Sequence, residues 1–453
     1  MKTHRHLFGL ATLALIATPV CAQRILVNET QPVLAGTAIT LQLTDLQPGQ
    51  AVQLQAERTV RLATGSVARF QSSARFVADP AGRVDLARSA PQAGSSYAGA
   101  DVRGLLWSMR EQPGSVERPE FDQVALQLLS SEGKPLAKAE LSLQQQLPTV
   151  QTRKVEVFPG ALLAAPAGAA KGPTLILLGG SEGGSGISHK AAHWASFGYT
   201  VLALPYYSPP RWTASGPAAP ELPELPTALS KIPVERLQQA HDWLAAQPEA
   251  DTQRIALMGT SKGAEFALLA GTQFPWLKAI AAIVPTDVVW EGWDGTQPSR
   301  TPSFSWQGKA YDFIRYQDFA EEFQGYMAGR DVRIRRPHDK GRAAATPAQL
   351  AAARIPVERI AAPMLLAGGG DDQIWPSLAM AATIKQLRDQ AGLRTVALLF
   401  PEAGHLLGGT GTGPTTHYNQ DPTQSGGTPA ANARAQADTH AALLSFFAET
   451  LGR

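Results

Sequence analysis

One pentapeptide, Gly-Thr-Ser-Lys-Gly at residues 259–263, constrains the fold of this 453-residue chain more than any other feature. The apolar run at 254–258 before it is typical of a buried strand, and the run at 264–270 after it is typical of a packed helix. A serine on such a tight strand-to-helix turn points its hydroxyl out of the fold, and the flanking glycines leave the space that the turn needs. The pattern predicts that Ser261 is a nucleophile.

A second match to the same pattern, Gly-Gly-Ser-Glu-Gly, occupies residues 179–183. It also follows an apolar run, at 175–178, but more glycine comes next where a helix would be needed. This composition favours a loop that offers backbone amides. We expect the N–H groups of Ser181 and Lys262 to face a developing oxyanion. A purely structural glycine loop is the alternative for Ser181.

A nucleophilic serine needs a base, and the base needs a carboxylate to orient it. Downstream, the apolar run 363–367 is followed by Asp371 and Asp372, and the run 393–400 is followed by His405. Because open α/β sheets carry their sites at the carboxyl ends of the strands, both polar groups are expected at one edge. The chain order Ser, Asp, His is that of the strand-turn-helix hydrolases.

Two choices remain within this set of residues. Only one of the adjacent Asp371 and Asp372 can face His405, and Asp372 is favoured because it lies four residues before Pro376, a common spacing in such hydrolases. Among the remaining histidines, His417 is the reserve candidate for the base. The sequence therefore predicts a Ser261, Asp372 and His405 triad.

The N-terminus predicts export. Residues 1–22 combine a basic start, an apolar run at 7–17 that is too short to span a membrane, and a small-residue cleavage site at 20–22. A mature protein that begins at Gln23 and is periplasmic or secreted is expected. Cys21 is the only cysteine. The mature chain would then hold no thiol, which excludes a Cys nucleophile, disulfides and thiolate metal sites.

Charge and hydropathy exclude several classes of partner. Without the leader, 38 basic residues face 38 acidic ones, so neither nucleic acid nor an anionic membrane surface is indicated. No later apolar run is long enough for a transmembrane segment. We expect a small-molecule substrate, no cofactor and no metal. The sequence does not define the oligomeric state.

The chain divides into two predicted domains. Residues 23–150 show short alternating runs, typical of an immunoglobulin-like β-sandwich, and the runs at 39–44 and 52–56 predict a hairpin. Residues 151–453 alternate strands, the first at 154–157, with helices, which predicts an α/β domain with a mostly parallel sheet.

An insertion at about 285–360 interrupts this alternation. It is rich in aromatic residues, and we expect it to form a lid or substrate wall in which Trp290, Trp293 and Trp306 contact the substrate. Its segment 330–342 carries six basic residues. A solvated face is the first interpretation of this segment, and a phosphate-binding site is the alternative.

Several segments, in order along the chain, resemble the acyl-CoA thioester hydrolase and bile acid-CoA:amino acid N-acyltransferase family. They are residues 48–50, 94–107, 259–265, 287–290, 371–377, 403–406 and 426–429. The resemblance implies an α/β-hydrolase domain preceded by a β-sandwich, and an acyl-enzyme on Ser261 with water or an amine as acceptor. The members of that family that conjugate acyl groups to amines use Cys as nucleophile. The resemblance therefore implies that the serine of this chain favours hydrolysis.

The expected activity is that of a serine hydrolase acting on acyl thioesters, as an acyl-CoA thioesterase does. Because acyl-CoA is a cytoplasmic metabolite, export favours an extracytoplasmic carboxylesterase or amidase of the same fold as the alternative. An acyltransferase is a further alternative. A non-catalytic surface-binding protein is disfavoured because the serine, aspartate and histidine are all present.

Overall fold

A computed structural model describes residues 22–62, 65–168, 171–213, 216–294, 297–420 and 423–452. The expected signal peptide lies outside the described residues, apart from Ala22. Among the residues described, no helix combines the length and the apolar character needed to cross a bilayer.

Over its described residues, the first part of the chain forms short strands and one short helix. These are β1 (Arg24–Val27), β2 (Val33–Leu34), β3 (Leu41–Thr44), β4 (Ala51–Arg61), β5 (Val67–Val77), β6 (Val84–Asp85), α1 (Gly104–Trp107), β7 (Arg110–Gln112), β8 (Gln123–Ser130) and β9 (Pro135–Gln144).

These strands form two sheets that share one core. The orders are β1-β3-β6 and β2-β9-β8-β4-β5-β7. Buried and more exposed residues alternate along β4 and β5, as one buried face requires. Leu43 from the small sheet and Leu54 and Phe70 from the large sheet belong to the same apolar cluster. Burial of each such side chain stabilises the fold by about 1.5–3 kcal/mol. Whether this sandwich is immunoglobulin-like stays a prediction.

The predicted hairpin between residues 39–44 and 52–56 is wrong. Strand β3 pairs with β1 and β6, whereas β4 pairs with β5 and β8. The turn at Gly49, with φ 75°, therefore carries the chain from one sheet to the other. Alternation indicates that each strand has one buried face, but two strands facing the same core from opposite sheets show the same pattern.

The rest of the chain alternates strands and helices, with an insertion. The elements are β10 (Val150–Lys154), β11 (Leu162–Pro166), β12 (Gly172–Leu178), α2 (His189–Ala195), β13 (Thr200–Ala203), β14 (Arg211–Thr213), β15 (Gly216–Ala218), β16 (Ile232–Pro233), α3 (Arg236–Ala245), β17 (Ala250–Thr260), α4 (Lys262–Gln273), β18 (Leu277–Ile283), β19 (Glu291–Trp293), β20 (Pro298–Pro302), β21 (Phe304–Trp306), β22 (Lys309–Ala310), α5 (Phe319–Met327), α6 (Arg335–Ala344), α7 (Pro347–Ala353), a 3₁₀ turn (Val357–Arg359), β23 (Met364–Gly369), α8 (Ser377–Gln390), β24 (Thr395–Phe400) and α9 (Pro429–Leu451).

Eight of these strands form one sheet in the order β10-β11-β13-β12-β17-β18-β23-β24. The pairings of β11 with β10 and β13 are antiparallel, and all the others are parallel. Apolar side chains cover both faces of this sheet, which explains why its central strands are continuous apolar runs. The predicted α/β fold with a mostly parallel sheet is confirmed.

The strand predicted at residues 154–157 is misplaced. Strand β10 ends at Lys154, and the chain then turns, with Phe158 N–H donating to the Val155 carbonyl at 3.0 Å. Val155 and Phe158 are both buried, while Val157 is 63% exposed. Buried apolar residues in a turn therefore show the same sequence pattern as a short buried strand.

The insertion between β18 and β23 has its own apolar cluster. Val288, Trp290 and Phe319 from the insertion share it with Trp375, which follows β23. The insertion thus packs against a loop at the carboxyl edge of the large sheet. This is the edge where Ser261 follows β17.

Candidate active site

Ser261 occupies a sharp turn between β17 and α4. Its φ of 57° and ψ of −121° lie in a region that non-glycine residues seldom adopt. The turn is crowded: a Cβ on Gly259 would collide with the Gly263 carbonyl, and a Cβ on Gly263 would collide with the Gly179 carbonyl. The two glycines of the motif are therefore required by close backbone packing around the serine.

His405 lies between the serine and a carboxylate. Its Nε2 is 3.0 Å from Ser261 Oγ, and its Nδ1 is 2.8 Å from Asp372 Oδ2. Asp372 is fully buried, and Ser261 and His405 are 6% and 8% exposed. The three side chains follow β17, β23 and β24. Their alignment is the one that a nucleophile, its base and an orienting group require.

Further hydrogen bonds fix the orienting carboxylate. Oδ2 of Asp372 also accepts from Ser377 Oγ at 2.5 Å, and Oδ1 accepts the N–H groups of Ile374 and Trp375 at 2.9 and 3.2 Å. The sequence alone did not identify Ser377 as a hydrogen-bond partner of Asp372. An aspartate held by several donors cannot easily rotate away from His405.

Asp371 points elsewhere, although it neighbours Asp372 in the chain. Its carboxylate accepts from Gly427 N–H at 2.8 Å and from the Gln373 side chain at 2.5 Å. His417, the reserve histidine, packs edge-on against Phe70 of the sandwich at 5.7 Å. The structure therefore brings Ser261, His405 and Asp372 together in one hydrogen-bonded set. The alternative residues, Asp371 and His417, lie outside it.

An apolar cavity of about 200 Å³ opens beside Ser261. Of the three tryptophans predicted to contact a substrate, Trp293 lines it. Trp290 is fully buried and stacks on Tyr316, and Trp306 packs against Phe274. The prediction of a wall made from three tryptophans therefore needs correction. Two of them are used in packing the insertion.

Other aromatic and aliphatic side chains supply the wall instead. The lining residues include Leu229, Tyr316, Phe319, Phe323, Ile334 and Trp375. On its other side, Ser261 faces a wider groove of about 1200 Å³, which also contains His405, Glu182, His189 and Lys190. The serine thus stands between an apolar cavity and a more polar groove.

The two predicted backbone donors lie near the serine. Lys262 opens α4, so its N–H belongs to the first-turn amides that have no acceptor within the helix. Ser181 lines both the apolar cavity and the groove. Its loop is held by the Tyr207 hydroxyl, which donates to the Ser181 carbonyl, and by the Tyr206 hydroxyl, which donates to Gly179 at 2.8 Å.

A buried ion pair lies beside Ser261, between two residues of the segment 259–265 that could either pair or only stabilise the helix. Lys262 Nζ lies 2.8 Å from Glu265 Oε2 and donates to Ser303 Oγ at 2.8 Å. Glu265 Oε1 accepts the Trp290 N–H at 3.2 Å. Burial lowers the pKa of Lys262 and raises the pKa of Glu265. The pair joins the start of α4 to the insertion, and the i, i+3 spacing of the two residues on the helix allows it.

The basic segment 330–342 is largely neutralised by the insertion itself. Five of its six cations form ion pairs there: Arg333 with Asp331, Arg335 with Asp339, Arg336 with Glu322, Lys340 with Asp318, and Arg342 with Asp287. This arrangement weighs against the phosphate-binding interpretation. Within the described parts of the chain, no cluster of three or more His, Cys, Asp or Glu residues could hold a metal ion.

A serine on a strained strand-to-helix turn, hydrogen-bonded to a histidine that is itself hydrogen-bonded to an aspartate, at the edge of a mostly parallel sheet, defines the α/β-hydrolase class. Residues 232–453 match the C-terminal domain, and residues 36–157 the N-terminal region, of one family. The chain belongs to the acyl-CoA thioester hydrolase/BAAT family, and it is an enzyme, a hydrolase of thioester or ester bonds.

Individual proteins resemble most of the chain. Acyl-coenzyme A thioesterase 5 of Mus musculus is 27% identical over 429 residues, covering 90% of this chain and 92% of that protein. Mitochondrial acyl-coenzyme A thioesterase 2 of Homo sapiens is 27% identical, covering 90% and 80%. Among solved structures, acylaminoacyl peptidase of Pyrococcus horikoshii has a TM-score of 0.41 at 14% identity, covering 95% of this chain and 56% of that one.

Proposed function

We propose that the protein hydrolyses acyl thioesters through an acyl-enzyme formed on Ser261. The observation that carries this proposal is the pair of hydrogen bonds through His405, at 3.0 Å to Ser261 Oγ and 2.8 Å to Asp372 Oδ2. Ser261 also lines an apolar cavity, which supports an acyl chain as the group that is transferred.

The chemistry proceeds in two halves. His405 Nε2 takes the proton as Ser261 Oγ attacks the thioester carbonyl, and Asp372 stabilises the imidazolium. The C–S bond breaks, and the leaving thiol carries that proton away. Water then attacks the acyl-enzyme ester, again giving its proton to His405, and the carboxylic acid leaves as Ser261 is reprotonated.

The amides of Lys262 and Ser181 are proposed as the oxyanion donors. Both belong to segments beside Ser261, and the hydroxyls of Tyr206 and Tyr207 hold the second segment in place. Donors that are already fixed stabilise the developing charge without further reorganisation. The acyl chain would occupy the apolar cavity, with Trp293 in its wall, and the leaving group would occupy the groove.

Thioesters are preferred to other acyl compounds because the relatives described above are named acyl-coenzyme A thioesterases. Hydrolysis is preferred to transfer because the nucleophile is serine. An exported carboxylesterase or amidase is the second candidate. It is favoured by the basic and apolar leader at residues 1–22, which supports a periplasmic or secreted location away from cytoplasmic acyl-CoA.

Labelling and turnover together test the proposal. A fluorophosphonate probe should label the wild type and Ser181→Ala, and Ser261→Ala should lose both labelling and turnover. Ser181→Ala is the matched control because only its backbone amide is invoked. A panel of acyl thioesters, oxyesters and amides with the same acyl chain then ranks the leaving groups. Surviving labelling in Ser261→Ala, or a preference for amides, would contradict the proposal.

A further inference from the structure

A second cavity, of about 310 Å³, lies where the sandwich meets the hydrolase domain. We call it the junction cavity. The sandwich contributes Arg58 from β4, and the hydrolase domain contributes Lys190 from α2, Thr412 from the loop after β24 and Thr439 from α9. None of these residues takes part in the proposed catalytic steps.

The charged side chains that line the junction cavity are cationic. Arg58 and Lys190 both line it, while its lining includes no Asp or Glu. Arg58 donates to the carbonyls of Thr412 and Phe121, at 3.1 Å each, and Lys190 donates to the Gly408 carbonyl at 3.2 Å. In the described parts of the chain, carbonyl dipoles and not carboxylates are therefore the direct partners of both cations.

Three polar atoms on lining residues have no hydrogen-bond partner among the described residues. Arg58 Nε, the hydroxyl of Thr439 and Nδ1 of His440 are buried without a hydrogen bond. Burial also lowers the pKa of Arg58 and of Lys190, against weaker opposing effects of Asp122 and Glu182. A buried donor left unsatisfied is costly, and a ligand with several acceptor oxygens would offer partners to the Arg58 and Thr439 donors and offset the charge of Arg58 and Lys190.

We propose that the junction cavity is a binding site for a small oxyanion of the phosphate class, held by Arg58 and Lys190. An arginine presents planar N–H donors that suit such a group, and a lysine adds a point charge. Lys190, Thr260 and Gly408 line both this cavity and the groove beside Ser261. The oxyanion can thus come from free solution or from the end of a leaving group lying in the groove.

Binding of inorganic phosphate to the full chain tests the site without using activity. Phosphate should raise the melting temperature of the wild type in a concentration-dependent way. Arg58→Gln and Lys190→Met should each weaken phosphate binding about tenfold or more, because each removes a charge-assisted contact. Arg58→Lys should retain part of the affinity. Arg69→Gln, an exposed arginine on the adjacent strand β5, is the matched control.

Kinetics with two thioesters of the same acyl chain distinguish the two sources. If the oxyanion belongs to the leaving group, Arg58→Gln raises KM about tenfold for acyl-CoA and leaves KM for the uncharged N-acetylcysteamine thioester unchanged. If the anion is free phosphate, the variant changes neither KM. The uncharged substrate also shows whether Arg58→Gln is folded.

No phosphate-induced shift in the wild type, together with unchanged KM values in Arg58→Gln, would overturn the site and leave only water in the cavity. The kinetic arm rests on the proposed function, whereas the phosphate arm does not. If the wild type hydrolyses neither thioester but binds phosphate through Arg58, the proposed function fails and the anion site stands.

Discussion

Arg335, on the first turn of α6 in the insertion, donates to the backbone carbonyl of Asp372 at 3.1 Å. Its guanidinium also donates to the Gly370 carbonyl at 3.2 Å. The insertion is thus bonded directly to the residue that orients His405. A change in the position of α6 would be transmitted to the Asp372 carboxylate, which is bonded to His405.

Arg335→Met should therefore lower kcat by about tenfold or less, because it loosens Asp372 without removing any reacting group. Steady-state kinetics with a small uncharged thioester would measure this effect apart from any electrostatic effect on a charged leaving group. Arg336→Met, which removes an ion pair with Glu322 but no contact to Asp372, is the control. Equal effects of the two substitutions would show that Arg335 does not position the carboxylate.

Asp372→Asn should reduce kcat by about 10⁴-fold, because the amide favours the wrong tautomer of His405. Asp371→Asn should have a far smaller effect, since its contacts are to Gly427 and Gln373. Both variants can be followed by the rate of thioester hydrolysis at saturating substrate. The reverse ranking would assign the orienting role to Asp371.

Lys262→Met should destabilise the protein by about 3–5 kcal/mol, because it leaves the fully buried Glu265 carboxylate without its partner. Lys385→Met, which breaks the half-exposed pair with Asp389 on α8, should cost less than about 1 kcal/mol. Unfolding in urea gives both values. Adding Glu265→Gln to Lys262→Met should recover part of the loss, and no recovery would argue against an uncompensated charge as the cause.

Stability should fall on acidification below about pH 6.5. Burial lowers the pKa of His338 and of His440 to about 3, from 6.5. Between those values the unfolded chain binds more protons than the folded one, so the free energy of unfolding rises with pH there and levels off above it. His440→Gln should flatten part of this slope in urea titrations at pH 5 and pH 7.5. A wild-type slope in His440→Gln would argue against the burial of this imidazole as the cause.

If the chain is exported as proposed, the mature protein should begin at Gln23 and contain no thiol. Cleavage after Ala22 would remove Cys21, the single cysteine of the chain. N-terminal sequencing and a thiol-reactive mass tag on protein from the periplasm or medium measure both properties. Recovery of the chain only from the cytoplasm, with Met1 retained, would contradict the proposed export and restore cytoplasmic acyl-CoA as the natural substrate. A lipid on Cys21 would contradict cleavage after Ala22.

The position of the proposed catalytic residues could be predicted because each follows an apolar run. Ser261, Asp372 and His405 come just after β17, β23 and β24, and parallel strands present their carboxyl ends at one edge. The choice of Asp372 over Asp371 rested on spacing to Pro376. The buried partners Ser377 and the two amides beyond Asp372 supply a physical reason that only the folded chain displays.

Features that depend on distant contacts were not predictable in the same way. An aromatic residue in an insertion has the same local signal whether it lines a cavity, as Trp293 does, or packs inside, as Trp290 and Trp306 do. The pairing partners of β3 and β4 were missed because alternation marks a buried face but does not identify the neighbouring strand.

The three proposed catalytic groups follow strands that are far apart in the sequence, with Ser261 and His405 separated by 144 positions. Their alignment exists only when β17, β23 and β24 have reached their final register, with β18 between the first two. Reaction of the serine with a covalent probe is accordingly a sensor for completion of the whole sheet. During refolding, probe reactivity should return with the last long-range strand pairing and lag behind the recovery of helix.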